Sequence, residues 1–429
     1  MQKKIITFIL VTLMTFSVIS MASAKTSKYD VTEPITITWW HAHETQWIEQ
    51  LNYMVDRFHE QNPYITVEPV YIGSYAVLQT HLIAAVAAGN VPALATSNTA
   101  HPASYAAAGV CEILDPYIEA YDFDINDFGE GLVNSTVYEG QHITLPYLTS
   151  TQVMFYNKTA AEAEGITMPK TFNDMEAFLE KATLFNDDGT TKRYGTVFGG
   201  WDYVYFEMLY RNNGVQVVCE DGLTSDVNSE MSIYITTKIK EWIDKGYTYF
   251  AYGTGASSNM RQLFWDGKAF SVMHTSSLYD TYVDKTKGRF EVGMAWFPGD
   301  LEGKRFNSVV GGSTILIPAT ASQKQKNAAW QFMMFMASPE MNLYWADKTG
   351  YFPTRKSIIG TPEYEEYLQR KPAMAEVMAM SHWVGGRNSH PAYHTCAMEW
   401  RNGLAKIFNE GAPVKDTLDK VAMAIEEIL

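Results

Sequence analysis

Residues 35–71 leave little freedom in the choice of fold class. Ile35-Thr36-Ile37-Thr38-Trp39-Trp40 alternates as a strand does, and residues 46–61 then carry Ile48, Leu51, Val55 and Phe58 at helical spacing. Residues 65–71 return to strand alternation. Two strands joined through a helix pair in parallel, whereas a hairpin link would pair them antiparallel. Asn62-Pro63 marks where the helix must stop, because the residue before a proline is pushed out of the α region. A second helix over 78–88 ends at Gly89-Asn90, and 93–96 reads as a short buried strand. This βαβ opening predicts an α/β protein whose sheets are mostly parallel and flanked by helices.

Further along, residues 143–147 and 152–156 read as strand, and a Thr/Asp start signal opens a helix at 171–175. The chain is expected to cross between two lobes near 147–152, and again through strands at 268–273 and 309–317. Three hinge crossings make each lobe discontinuous. The first lobe is expected to hold 25–147 and 273–318, and the second 148–272 and 319–429. Residues 327–336 and 414–429 are amphipathic helices, and in the second the stripe Leu418, Val421, Met423, Ala424 and Ile428 is expected to face the core.

Residues 1–24 are a cleavable leader by pattern: Lys3 and Lys4, an apolar run from Ile5 to Met21, then Ala22-Ser23-Ala24. That run is short for a membrane span, and no cysteine follows it to accept a lipid. Its removal leaves 405 of the 429 residues, too many for one core and enough for two lobes. The formal charge of −15 becomes −17 without the two lysines, which repels nucleic acid and anionic lipid. Cys111, Cys219 and Cys396 are widely spaced and form no metal or redox motif. Aromatic residues make up 14% of the chain, with 11 Trp and 26 Tyr, a supply suited either to large cores or to faces that stack sugar rings.

Several segments in order resemble the extracellular solute-binding proteins (family 1) that serve ABC carbohydrate importers, the family of the maltose-binding and glycerol-3-phosphate-binding proteins. They are Ile37-Thr38-Trp39-Trp40-His41 with Phe58-His59-Glu60-Gln61-Asn62-Pro63, and Met154-Phe155-Tyr156-Asn157-Lys158 with Gly165-Ile166 and Pro169-Lys170-Thr171-Phe172. Leu263-Phe264-Trp265-Asp266-Gly267-Lys268-Ala269 with Met273, Gly311-Gly312-Ser313, Ser338-Pro339-Glu340 and Thr349-Gly350-Tyr351-Phe352-Pro353 follow. The resemblance implies a two-lobed periplasmic clamshell, a monomer, that closes over a sugar or oligosaccharide and delivers it to the transmembrane subunits of an ABC permease. It implies no cofactor, no metal, no nucleic acid and no catalysis.

By the same resemblance the ligand-facing positions are Tyr75, Ser150, Ser276, Gly312 and Tyr351, with Gly311 beside them. Trp40, Trp201 and Tyr393 are added as stacking rings, His41 and Asp202 as polar contacts, and Arg387 as the nearest match to a phosphate-facing arginine. Two departures weigh against a phosphorylated ligand. Ser97-Asn98-Thr99-Ala100 carries no acid where the glycerol-3-phosphate binders have a glutamate, and Arg387 lies one position out of register. An uncharged sugar is therefore the expected ligand, with glycerol-3-phosphate or a glycerophosphodiester as the alternative. His41-Ala42-His43 and the His390/His394 pair have ligand-like spacing for a metal receptor, but lack cysteines or a zincin pattern. A hydrolase with paired carboxylates lacks any motif that spacing can reveal.

Overall fold

The computed structural model describes residues 27–429 apart from 44, 387 and 389. The expected leader and Arg387 lie outside the described residues. Among the described residues the strands are β1 (Ile35–His41), β2 (Ile65–Tyr71), β3 (Leu94–Asn98), β4 (Val137–Tyr138), β5 (Gln141–His142), β6 (Leu145–Asn157) and β7 (Leu184–Phe185), then β8 (Thr191–Phe198), β9 (Thr248–Phe250), β10 (Ala269–Thr275), β11 (Val292–Ala295), β12 (Ser308–Leu316) and β13 (Val384–Gly385).

The opening folds as its pattern dictates. β1 pairs in parallel with β2, from Ile35 opposite Ile65 to His41 opposite Tyr71, and on its other edge with β3. The helix Ile48–Gln61 between them buries Leu51, Met54, Val55 and Phe58, spaced to lie on one face. Ile48, counted in that stripe from the sequence, is exposed. The helix Tyr75–Ala88 starts where the Ser74 hydroxyl accepts from the Val77 N–H and ends where Gly89 turns left-handed at φ 69°.

Strand β6 is shared by the sheets of the two lobes. The first half of β6 pairs with β12 in the sheet that also holds β1, β2 and β3. Its second half pairs with β10 and β11 in the sheet that holds β8 and β9. Pairing is parallel among β1, β2 and β3 and among β8, β9 and β10. It is antiparallel where β6 pairs with β10, β11 and β12 and where β12 pairs with β3, while the short β13 joins β12 in parallel. The molecule is thus a two-lobed α/β clamshell. One core gathers Trp39, Phe58, Trp330 and Phe332, and others gather Phe172, Trp242 and Trp400 or Phe155, Phe264 and Tyr282.

The packing corrects the expected lobe boundaries. β10 and β11, assigned to the first lobe from residue 273 onward, hydrogen-bond to the second half of β6 and belong with the second sheet. The helices Gln323–Met336 and Pro339–Lys348, assigned to the second lobe, bury Trp330, Phe332, Met341 and Trp345 in the core of the first. The expected crossing at 268–273 is therefore no crossing. β6 and β12 cross, and the third passage follows Lys348, where Phe352 still bridges to Thr149 and the helix Pro362–Arg370 already packs on the second lobe. Sequence periodicity identifies such strands but not the sheet edge that receives them.

A cleft between the lobes

A cavity of roughly 450 Å³ opens where the lobes meet. Its floor is built by the crossing strands and their neighbours, with Ser150 and Gln152 from β6, Gly311 and Gly312 from β12, and Thr275 and Ser277 after β10. Trp47, Tyr71, Tyr75, Asn98 and His101 form the wall on the first lobe. Asp202, Tyr203, Tyr205 and His394 form the wall on the second, and Tyr351 stands at the hinge. Larger grooves of about 930 and 960 Å³ are lined from the second lobe alone, so lobe motion cannot enclose a solute in them, and one of about 600 Å³ lies beside the hinge, lined by Gly131, Arg355 and Val384.

Hydroxyls on the floor bond to one another. Thr275 Oγ1 donates to Ser150 Oγ at 3.1 Å and meets Ser277 Oγ at 3.0 Å. Tyr75 reaches across to hydrogen-bond Ser313 on β12. The indole of Trp47 meets Tyr351 edge-on at 5.5 Å, and His101 of the first lobe meets His394 of the second at 5.6 Å. Asp202 caps the short turn Tyr203–Tyr205 by accepting from the Val204 N–H at 3.3 Å, which sets both tyrosine rings toward the cavity side. Among the described lining residues there is no lysine or arginine, and Asp202 is the one carboxylate.

Of the residues singled out from the sequence, Tyr75, Ser150, Asp202, Gly311, Gly312 and Tyr351 line this cavity. Others do not. His41 is buried beneath the wall, its ring 5.3 Å from Trp39 and 5.7 Å from His43, and burial lowers its pKa to about 4. Trp40, on the opposite face of β1, packs against the cluster of Leu78, Leu82 and Tyr105. Trp201 turns away to stack near Tyr205 and His274, with its carbonyl accepting from Arg401. Ser276 is fully buried, and its hydroxyl accepts from the Thr151 N–H at 3.2 Å. Tyr393 is buried behind Tyr203 and donates to Glu207, while burial and that carboxylate hold its phenol protonated.

Sequence reasoning passed over Trp47, Tyr71, Asn98, His101, Gln152, Tyr203, Tyr205, Thr275 and Ser277, and weighed His394 only as a metal ligand beside His390. A signal existed for a few of them. Gln152 lies two residues beyond Ser150 on a strand and so shares its face. Thr275 and Ser277 flank Ser276, and only the direction of the turn decides which of the three faces the cavity.

Two lobes joined by crossing strands, with a polar and aromatic cleft at the joint, define a protein that captures a small solute by closing around it. The chain belongs to the bacterial extracellular solute-binding protein family, which matches residues 53–375. It is 25% identical over 354 residues to the sn-glycerol-3-phosphate-binding periplasmic protein UgpB of Pectobacterium atrosepticum, covering 78% of this chain and 77% of that one. The UgpB protein of Escherichia coli K12 is 24% identical over 350 residues, covering 79% and 78%. Among solved structures, UgpB from Mycobacterium tuberculosis in complex with glycerophosphocholine superposes with a TM-score of 0.80 at 21% identity, covering 93% of this chain and 98% of that one. The cyclic alpha-maltosyl-1,6-maltose binding protein of Arthrobacter globiformis gives 0.77 at 18% identity, covering 92% and 99%.

Proposed function

We propose that this chain is the substrate-binding component of an ABC importer, taking an uncharged sugar or oligosaccharide into the interlobe cleft and handing it to a membrane permease. The observation that carries the ligand class is the lining. Tyrosines from both lobes, a tryptophan at one end and a floor of hydroxyls offer stacking faces and short hydrogen-bond partners, with no lysine or arginine among the described lining residues. A phosphate monoester calls for a fixed cationic fork, and the described walls supply none. The ligand contacts are Tyr75, Ser150, Asp202, Gly311, Gly312 and Tyr351, joined by Trp47, Tyr71, Gln152, Tyr203 and Tyr205.

A glycerophosphodiester is the second reading, favoured by the UgpB relatives and by an aromatic cleft with one carboxylate, which also suits a cationic head group. The reading is of a binder rather than a glycosidase: hydrolysis of a glycoside uses a carboxylate pair, the described lining offers Asp202 alone, and the relatives are binding proteins. The UgpB relatives of Pectobacterium atrosepticum and Escherichia coli K12 are periplasmic proteins, and the leader pattern supports the same address here.

Titration calorimetry with a panel of mono- and oligosaccharides, glycerol-3-phosphate and glycerophosphocholine tests the reading. Heat with a saccharide and none with either phosphate is the expected result. Heat with glycerol-3-phosphate alone overturns the uncharged-sugar assignment.

A further inference from the structure

Strand β6 changes partner between two adjacent residues. Thr151 pairs with Val310 of β12, and Gln152 pairs with Thr275 of β10. The partner strands part at that point and a crevice opens, which is where open α/β sheets bind their ligands. Gln152 lines the crevice while remaining only 2% exposed. Its Oε1 is buried without a hydrogen-bond partner among the described residues. The hydroxyls around it are occupied with one another, as Ser150, Thr275 and Ser277 show. Gly311 opposes this part of β6 without a side chain, since a Cβ there would lie 2.7 Å from Ser150 Oγ. A buried amide left unpaired destabilises the fold that carries it, so a chain that keeps one at the fork of its ligand cleft has a use for it.

We propose that Gln152 is the specificity-determining residue of the cleft and that it reads a vicinal diol. One ligand hydroxyl donates to Oε1 while its neighbour accepts from Nε2, the pairing for which a carboxamide has one donor and one acceptor side by side. The inference rests on the cleft being the solute site. A sugar ring and the glycerol end of a glycerophosphodiester share this diol, and the test separates them.

The mature chain and its Gln152→Met and Gln152→Glu variants are titrated with the saccharide panel, glycerol-3-phosphate and glycerophosphocholine. The diol ligand that binds is then replaced by its monodeoxy analogues. Gln152→Met is expected to bind roughly 10-fold more weakly or worse, because ligand hydroxyls lose their partners. Its unfolding temperature without ligand is expected to stay equal or rise, since the unpaired amide is gone. The deoxy analogue that lacks a paired hydroxyl should bind the wild type more weakly and the Met variant no more weakly than the parent ligand does. Gln152→Glu, which keeps the shape and loses the donor, should also bind more weakly. Equal binding by wild type and both variants overturns the proposal, as does a lower unfolding temperature of ligand-free Gln152→Met. If the diol ligands bind the wild type but every deoxy analogue loses equally in all three proteins, the role of Gln152 fails and the cleft reading stands. If no saccharide or glycerophosphate binds the wild type, the cleft reading itself falls.

Discussion

At Gly312 the backbone of β12 passes so close to β6 that a Cβ would sit 2.2 Å from the Leu148 carbonyl oxygen, and φ is +97°. Both facts exclude any other residue, independently of a ligand. Gly312→Ala is therefore expected to destabilise the ligand-free protein by about 2 kcal/mol, measured as a lower urea midpoint. An unchanged midpoint would mean that the strands can separate there at no cost. The buried histidines give a second residue-scale consequence. Burial pulls His43 and His274 down to about 3, so each is neutral in the folded chain over the ordinary pH range. In the unfolded chain each titrates near 6.5. As pH falls below that value the unfolded state takes up protons that the folded state refuses. Their stabilising contribution is complete above about pH 6.5 and drains by up to about 1.4 kcal/mol per pH unit for each side chain on the way toward pH 3. Unfolding free energies measured from pH 7 to pH 5 should fall accordingly, and the double variant His43→Gln, His274→Gln should flatten that slope. An equal slope in the variant would assign the acid sensitivity to other groups.

Among the elements, the C-terminal helix shows how far a sequence pattern reaches. The stripe read from the sequence contained Leu418 and Val421, both buried, but also Met423 and Ile428, which are exposed, while Ala422 and Ile425 complete the true face at spacing 418, 421, 422 and 425. That face packs on the helix Tyr393–Glu410, where Gly403 permits close approach because a Cβ would fall 2.3 Å from Val421 Cγ2. Gly403→Ile is expected to push the two helices apart and to cost about 1–3 kcal/mol, read from thermal unfolding. Ligand heats at low temperature should survive the change, since neither helix face at this contact belongs to the cleft. Loss of binding together with normal stability would show that the helix pair does more than fill the second lobe.

For the whole molecule, the decisive property is that the lining of the cleft is divided between two lobes joined by crossing strands. A solute bridging both walls stabilises the closed arrangement through contacts that the open one lacks. Small-angle scattering should accordingly give a smaller radius of gyration with a saturating ligand than without it, and at 100 times Kd the bound chain should gain about 2.7 kcal/mol in unfolding free energy. A radius that does not respond to a ligand that binds would rule out closure. What the residues by themselves determined was local or carried by ordered motifs: the βαβ opening, the helix ends at Gly89 and Asn62-Pro63, the family, and six of the cleft residues. The opening and the helix ends depend on periodicity and turn chemistry within a few residues of chain, whereas the family and most of those cleft residues came through the resemblance carried by the ordered motifs. Only the tertiary structure decided which strands cross, that β10 stays in the second lobe, and that His41, Trp40, Ser276 and Tyr393 lie behind the walls that Gln152, Tyr203 and Tyr205 line. Those outcomes turn on which face of a strand meets which neighbour, and an alternating pattern is the same whichever of its two faces is turned to the cleft.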